Sequence, residues 1–118
     1  MADATASDLR IRVAEKLFIL IAGETLAAED VATIDKVIVS VNEKLREDEI
    51  AYWSDSAIPQ HVLEDLAAYV ACHLINDYLD ANEAAAFRGD HLATSLMALR
   101  ALTANKKRVA IPTSGTYF

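Results

Sequence analysis

Between residues 27 and 47, Val31, Ile34, Val37, Ile38, Val41 and Leu45 return every three or four positions, while Asp35, Lys36, Asn42, Glu43, Lys44 and Arg46 fill much of the rest. A period of 3.6 gathers the first set on one helix face, which has to be covered by another element. Val37-Ile38-Val39 alone would suit a strand, but the longer period decides for a helix. The chain is therefore built from elements that shield one another, and the same spacing recurs on both sides of this segment.

Upstream, Leu9, Val13, Leu17, Leu20 and Ile21 predict a helix from about Ser7, a candidate N-cap, to Ala22, with Gly23 ending it. Ile11 and Phe18 fall off that stripe, as expected if a second neighbour covers them. The central helix should begin near Thr25 or Ala27, with Glu29 and Asp30 favourable in its first turn, and run to about Glu47. Pro59 fits the first turn of a third helix, whose inner side is traced by Val62, Leu66, Tyr69, Val70, His73 and Leu74 to about Leu79. Asp80 and Glu83 have capping-box spacing ahead of a fourth, continuing through Leu92, Leu96 and Leu99 to about Ala104. Gly89 is its weak point, since an interior glycine costs about 1 kcal/mol relative to alanine, and the helix can break there.

With 118 residues, only 3 glycines and 2 prolines, and 53% apolar side chains, one helical core is expected. Short connections imply antiparallel neighbours, so the fold class is all-α: a bundle of about four antiparallel helices over residues 1–105. From Asn105 onward the helical period disappears and Pro112 and Gly115 enter, which predicts an extended C-terminal docking arm over residues 106–118. Charge separates the two parts. The net charge is −7, yet residues 1–105 hold 8 Lys+Arg against 18 Asp+Glu, a balance of −10, and the arm carries Lys106, Lys107 and Arg108 with no acid. So acidic a body argues against a general nucleic-acid binder, which needs clustered cations.

Candidate chemistry is sparse. Cys72 has no partner for an internal disulfide and lies in the apolar run Tyr69-Val70-Ala71-Cys72, so a reduced, buried thiol is expected. Residues 1–8 are acidic and lack the basic and apolar regions of a secretory signal, so export is not expected. The run Leu17–Ala22 is far shorter than the roughly 20 residues of a membrane span and belongs in a core or an interface. His61 with Asp65, and His73 with Asp77, have i,i+4 spacing, but no nucleophile motif accompanies either pair, so local helix contacts are favoured and no enzyme is expected. Cys72 and His73 are about 100° apart on a helix and converge poorly on a metal, and neither metal nor cofactor is expected. Arg88-Gly89-Asp90 matches a cell-adhesion tripeptide by coincidence. Tyr52 and Trp53 stand among Glu47, Asp48, Glu49 and Asp55, so packing across the connection is favoured over stacking on bases.

The terminal segment is harder to dismiss. Val109, Ile111, Tyr117 and Phe118 are costly to leave in water, and Lys106, Lys107 and Arg108 could steer docking onto an acidic surface, a neighbouring copy included. The segments Thr25-Leu26-Ala27-Ala28-Glu29-Asp30, Ala51-Tyr52-Trp53, Ile58-Pro59, Leu66-Ala67-Ala68-Tyr69-Val70-Ala71 and Tyr117-Phe118, in that order, resemble the head-to-tail adaptors of tailed bacteriophages. The nearest group is the packaged-DNA stabilisation, or head-completion, family of short-tailed phages.

The likeness spans residues 9–118 and is one of pattern, without an invariant chemical motif. It implies a helical bundle that joins copies of itself in a ring, usually dodecameric, beneath the portal protein. In that setting the chain extends the DNA channel toward a tail or nozzle protein, passing duplex DNA without sequence-specific binding or contact with a membrane. Assembly would begin in the host cytoplasm and end in the virion neck. The partner-binding residues carried over are Lys106, Lys107, Arg108, Val109, Ile111, Pro112, Tyr117 and Phe118. An acidic body is compatible with such a channel, because it does not grip sliding phosphates. Cell-wall hydrolysis, credited to some relatives, finds no catalytic residues here. The alternative from another class is a cellular helical protein-interaction module or small regulator.

Overall fold

The structure, a computed structural model, describes residues 3–19 and 25–110. Four helices follow one another: α1 (Ala6–Lys16), α2 (Ala28–Glu47), α3 (Gln60–Tyr78) and α4 (Ala81–Ala110). They form an all-α bundle, and no strand occurs among the described residues beyond two isolated bridges.

Helix α1 starts two residues ahead of expectation. Thr5, not Ser7, is the N-cap: its hydroxyl accepts from the Asp8 amide at 3.1 Å, and the Asp8 carboxylate accepts from the Thr5 amide at 2.9 Å. This capping box satisfies two otherwise orphan donors. Just before it, Ala4 exchanges backbone hydrogen bonds with Ile58 (2.7 and 2.8 Å), tying the chain's start to the connection between α2 and α3.

Helix α1 also stops early, at Lys16. The Phe18 amide donates to the Glu15 carbonyl at 3.1 Å and the Ile19 amide to the Ala14 carbonyl at 3.2 Å. These are the two bonds of a Schellman motif, with Phe18 in its left-handed position at φ 63°. Leu17 is driven into the core while Phe18 is 75% exposed. Gly23, expected to end the helix, lies outside the described residues.

Helix α2 has the expected bounds and closes with the same device. The Glu49 amide donates to Arg46 O at 3.0 Å and the Ile50 amide to Leu45 O at 2.8 Å, with Glu49 at φ 61°. Ile50 and Leu45, the apolar pair that usually accompanies this motif, are both buried. Ile34, Ile38, Val41 and Leu45 face inward as the period requires. Asn42, placed by the sequence on the polar side, is fully buried instead.

Helix α3 is the axis of the bundle. It packs on α1, α2 and α4, and buries Val62, Leu63, Leu66, Ala67, Val70, Ala71, Cys72, Leu74 and Ile75. At about 1.5–3 kcal/mol per buried large aliphatic side chain, this one helix supplies much of the driving force for folding. Pro59 serves as its N-cap residue, one position before the first turn. On the periphery, Arg10 grips Asp35 of α2 through two bonds of 2.7 and 2.9 Å, and Arg12 and Lys16 share Glu64 of α3 at 2.7 and 3.1 Å.

A two-residue turn, Leu79-Asp80, reverses the chain into α4, and the Asp80 carboxylate caps the Glu83 amide at 2.8 Å. The helix passes through Gly89 without a break and continues to Ala110. The boundary expected after residue 105 is thereby corrected. Lys106, Lys107, Arg108, Val109 and Ala110 continue α4 and are not an extended arm. Lys and Arg are good helix formers, and cations are favoured near a helix C-terminus, so local propensity outweighs the missing apolar stripe. Ile111, Pro112, Tyr117 and Phe118 lie outside the described residues.

Candidate functional site

The end of α4 is where the sequence places partner binding. Of its residues up to Ala104, Ala84, Ser95, Leu99 and Thr103 are the buried ones. The Thr103 hydroxyl donates to the backbone carbonyl of Ile50, fastening α4 to the end of α2. Beside this bond, Asp48, Glu49, Ile50, Arg100, Thr103 and Ala104 line a shallow cleft of about 300 Å³. Two carboxylates, Asp48 and Glu49, thus stand beside Arg100 and Thr103 of α4.

The connection from α2 to α3 is held by a polar cluster that the sequence does not announce. Buried Asn42 accepts from the Trp53 indole N–H at 3.2 Å and donates to Asp55 at 3.0 Å. Asp55 also accepts from Arg46 at 2.5 Å, and Arg46 reaches the Trp53 carbonyl at 3.4 Å. Trp53, 5% exposed, is edge-on to Tyr52 with ring centroids 5.2 Å apart. Trp53 packs across the connection, as expected. The signal for Asn42 was its position between Val41 and Leu45, at the rim of the apolar stripe.

A depression of about 650 Å³ is lined by Asp3, Tyr52, Trp53, Ser54, Ala57, Pro59, Gln60 and His61. The hydroxyl of Tyr52 and Nε2 of His61 are 3.2 Å apart there, and burial, followed by the charge of Asp3, raises the Tyr52 pKa. His73 lies elsewhere: its Nδ1 bonds to the Tyr69 carbonyl at 2.9 Å, and its ring meets that of Tyr69 edge-on at 4.8 Å. It lines a separate depression with Val37, Ser40, Val41, Lys44 and Tyr69. His61 and His73 thus line different depressions.

Cys72 is a free, buried thiol, and burial pushes its pKa up to about 11. Arg88 donates to Asn76 at 2.6 Å, so the Arg88-Gly89-Asp90 tripeptide is part of a rigid helix and not a loop. Among the described residues, no three His, Cys, Asp or Glu side chains are grouped to hold a metal ion, and no helix is long and apolar enough to cross a membrane. Comparison with known proteins found no matching family model, no matching curated protein and no matching solved structure.

Proposed function

We propose that this chain is a structural head-to-tail adaptor of a tailed-phage virion, joining copies of itself in a ring beneath the portal protein and binding that portal through its C-terminal end. The observation that carries the reading is the overrun of α4. The helix continues past Thr103 to Ala110, and these turns carry the only cluster of three consecutive cations in the sequence. The body beneath it has an excess of ten acidic groups over basic ones, a balance unsuited to gripping phosphates. Repetition around a ring would let modest contacts by each arm add up.

The test is a binding assay with purified portal rings from the same virion. The full chain should bind, a chain ending at Ala110 should bind weakly, and one ending at Asn105 should not bind, while all three keep the same helical circular dichroism per residue within the body. Undiminished binding of the shortest chain would overturn the arm's role. A gene neighbourhood without portal and capsid genes would favour the interaction-module reading instead.

A further inference from the structure

Among the described residues, α4 packs on α3 and on no other helix, so the side of α4 turned away from α3 has no helical neighbour. Along that side Ala86, Asp90, Ala93, Met97, Arg100 and Ala104 are all exposed, Met97 at 68%. They follow one another at intervals of 4, 3, 4, 3 and 4 residues, the heptad spacing that sets one seam of a helix against a second helix. The seam is about 27 Å long.

Its chemistry is nearly palindromic. About a midpoint at residue 95, close to the middle of α4, Ala86 mirrors Ala104, Asp90 mirrors Arg100 and Ala93 mirrors Met97. We propose that this face is a self-association surface, and that its occupant is α4 of a second copy laid antiparallel in a twofold dimer. Under twofold symmetry, when one residue meets another across the interface, the reciprocal contact forms as well. The register centred on residue 95 therefore turns every mirror pair into a contact made twice.

In that register Asp90 of each copy faces Arg100 of the other, an acid against a base. Met97 of each faces Ala93 of the other, a long adaptable side chain opposite a single methyl group, which suits helices roughly 8–10 Å apart. Ala86 and Ala104 close the two ends without bulk. Charge complementarity also selects the direction. A parallel pair would set Asp90 on Asp90 and Arg100 on Arg100, and like charges placed face to face are costly. Neither residue belongs to an ion pair among the described residues. The portal reading does not enter this argument: a ring is closed by head-to-tail contacts, which a twofold pair does not supply, so each can fail without the other.

Sedimentation equilibrium of the isolated full chain tests the pairing. The mass should rise with concentration from one chain of 12.9 kDa to two and level there. Asp90→Arg sets cation against cation and should weaken the dimer about tenfold or more, and adding Arg100→Asp should restore most of the affinity with the signs exchanged. Direction has its own readout. A nitroxide on Ala85→Cys, beside the seam and combined with Cys72→Ala, should lie about 30 Å or more from its mate in the dimer, because residue 85 stands opposite residue 105. A chain that stays monomeric at millimolar concentration, a mass beyond two chains, a dimer indifferent to Asp90→Arg, or labels at half that separation would overturn the proposal. The substituted seam positions are exposed, and an unchanged helical circular dichroism spectrum certifies the folding of each variant. Should Asp90→Arg fail that control, the label distance decides alone.

Discussion

The side-chain carbonyl of Asn42, inside α2, accepts the indole N–H of Trp53, eleven residues later, at 3.2 Å in a site closed to solvent. The bond fixes the connection to α3, because the amide of the same Asn42 holds Asp55, which in turn holds Arg46. Asn42→Leu leaves the indole donor and a carboxylate without their partner and should cost about 1–3 kcal/mol in urea denaturation followed by circular dichroism. Combined with Trp53→Phe, the loss should be smaller than the sum of the two single losses. Strict additivity would mean that the bond contributes nothing.

Gly89 lies in the interior of α4, and a methyl group added there meets no atom within 4 Å. Gly89→Ala should raise stability by about 0.5–1 kcal/mol through helix propensity and a less disordered unfolded chain. A rise in Tm measures it.

Glu49 adopts the left-handed conformation that glycine usually takes at this point of a Schellman motif. A side chain there costs roughly 1–2 kcal/mol, so Glu49→Gly should recover a part of that, offset by the greater freedom of glycine when unfolded. Glu49→Val should do the opposite and lower the urea midpoint.

Tyr78 donates its hydroxyl to Asp30 at 3.0 Å, and burial, then that bond and the carboxylate charge, push its pKa up to about 12 from an ordinary 10.0. The unfolded chain loses this proton first. The stability contributed by the site is therefore complete below pH 10.0 and is lost as pH rises toward about 12. Burial of Cys72 acts with the same sign in a lower window, from 9.0 to about 11. Tyr78→Phe should flatten the decline in urea midpoint above pH 10, and Cys72→Ala should flatten its onset above pH 9.

Leu66 is fully buried on α3, the helix that touches all the others. Leu66→Ala should cost about 2–5 kcal/mol, a large share of the 5–15 kcal/mol typical of a domain. Unlike the surface pair Arg10–Asp35, whose removal should cost about 1 kcal/mol or less, this change should lower Tm without sensitivity to salt.

The bundle was legible because apolar period is the strongest local signal: α2 and α3 bury most of the aliphatic positions of their stripes, although His73, expected on the inner side of α3, is exposed. The ends of helices were less so. Gly23 looked like the stop for α1, yet Phe18 takes the left-handed turn five residues earlier, and nothing in the chemistry of phenylalanine advertises that conformation. At the other end, the apolar period stops after Asn105 while the helix continues to Ala110. Period reports burial, whereas helix formation there depends on propensity, which Lys106, Lys107 and Arg108 retain. Asn42 escaped notice for a related reason: its partners Trp53 and Asp55 belong to a connection whose path no periodicity encodes.

The fastening of Thr103 to Ile50 also has a mechanical meaning. Among the residues whose side chains are described, a pull applied at the far end of α4 first meets that hydroxyl, with Leu99 and Ser95 seated behind it. Tension from the C-terminal side would load these attachments one after another, peeling the helix from its tip, whereas compression would press it home along α3. The molecule is thus built to bear a push better than a tug.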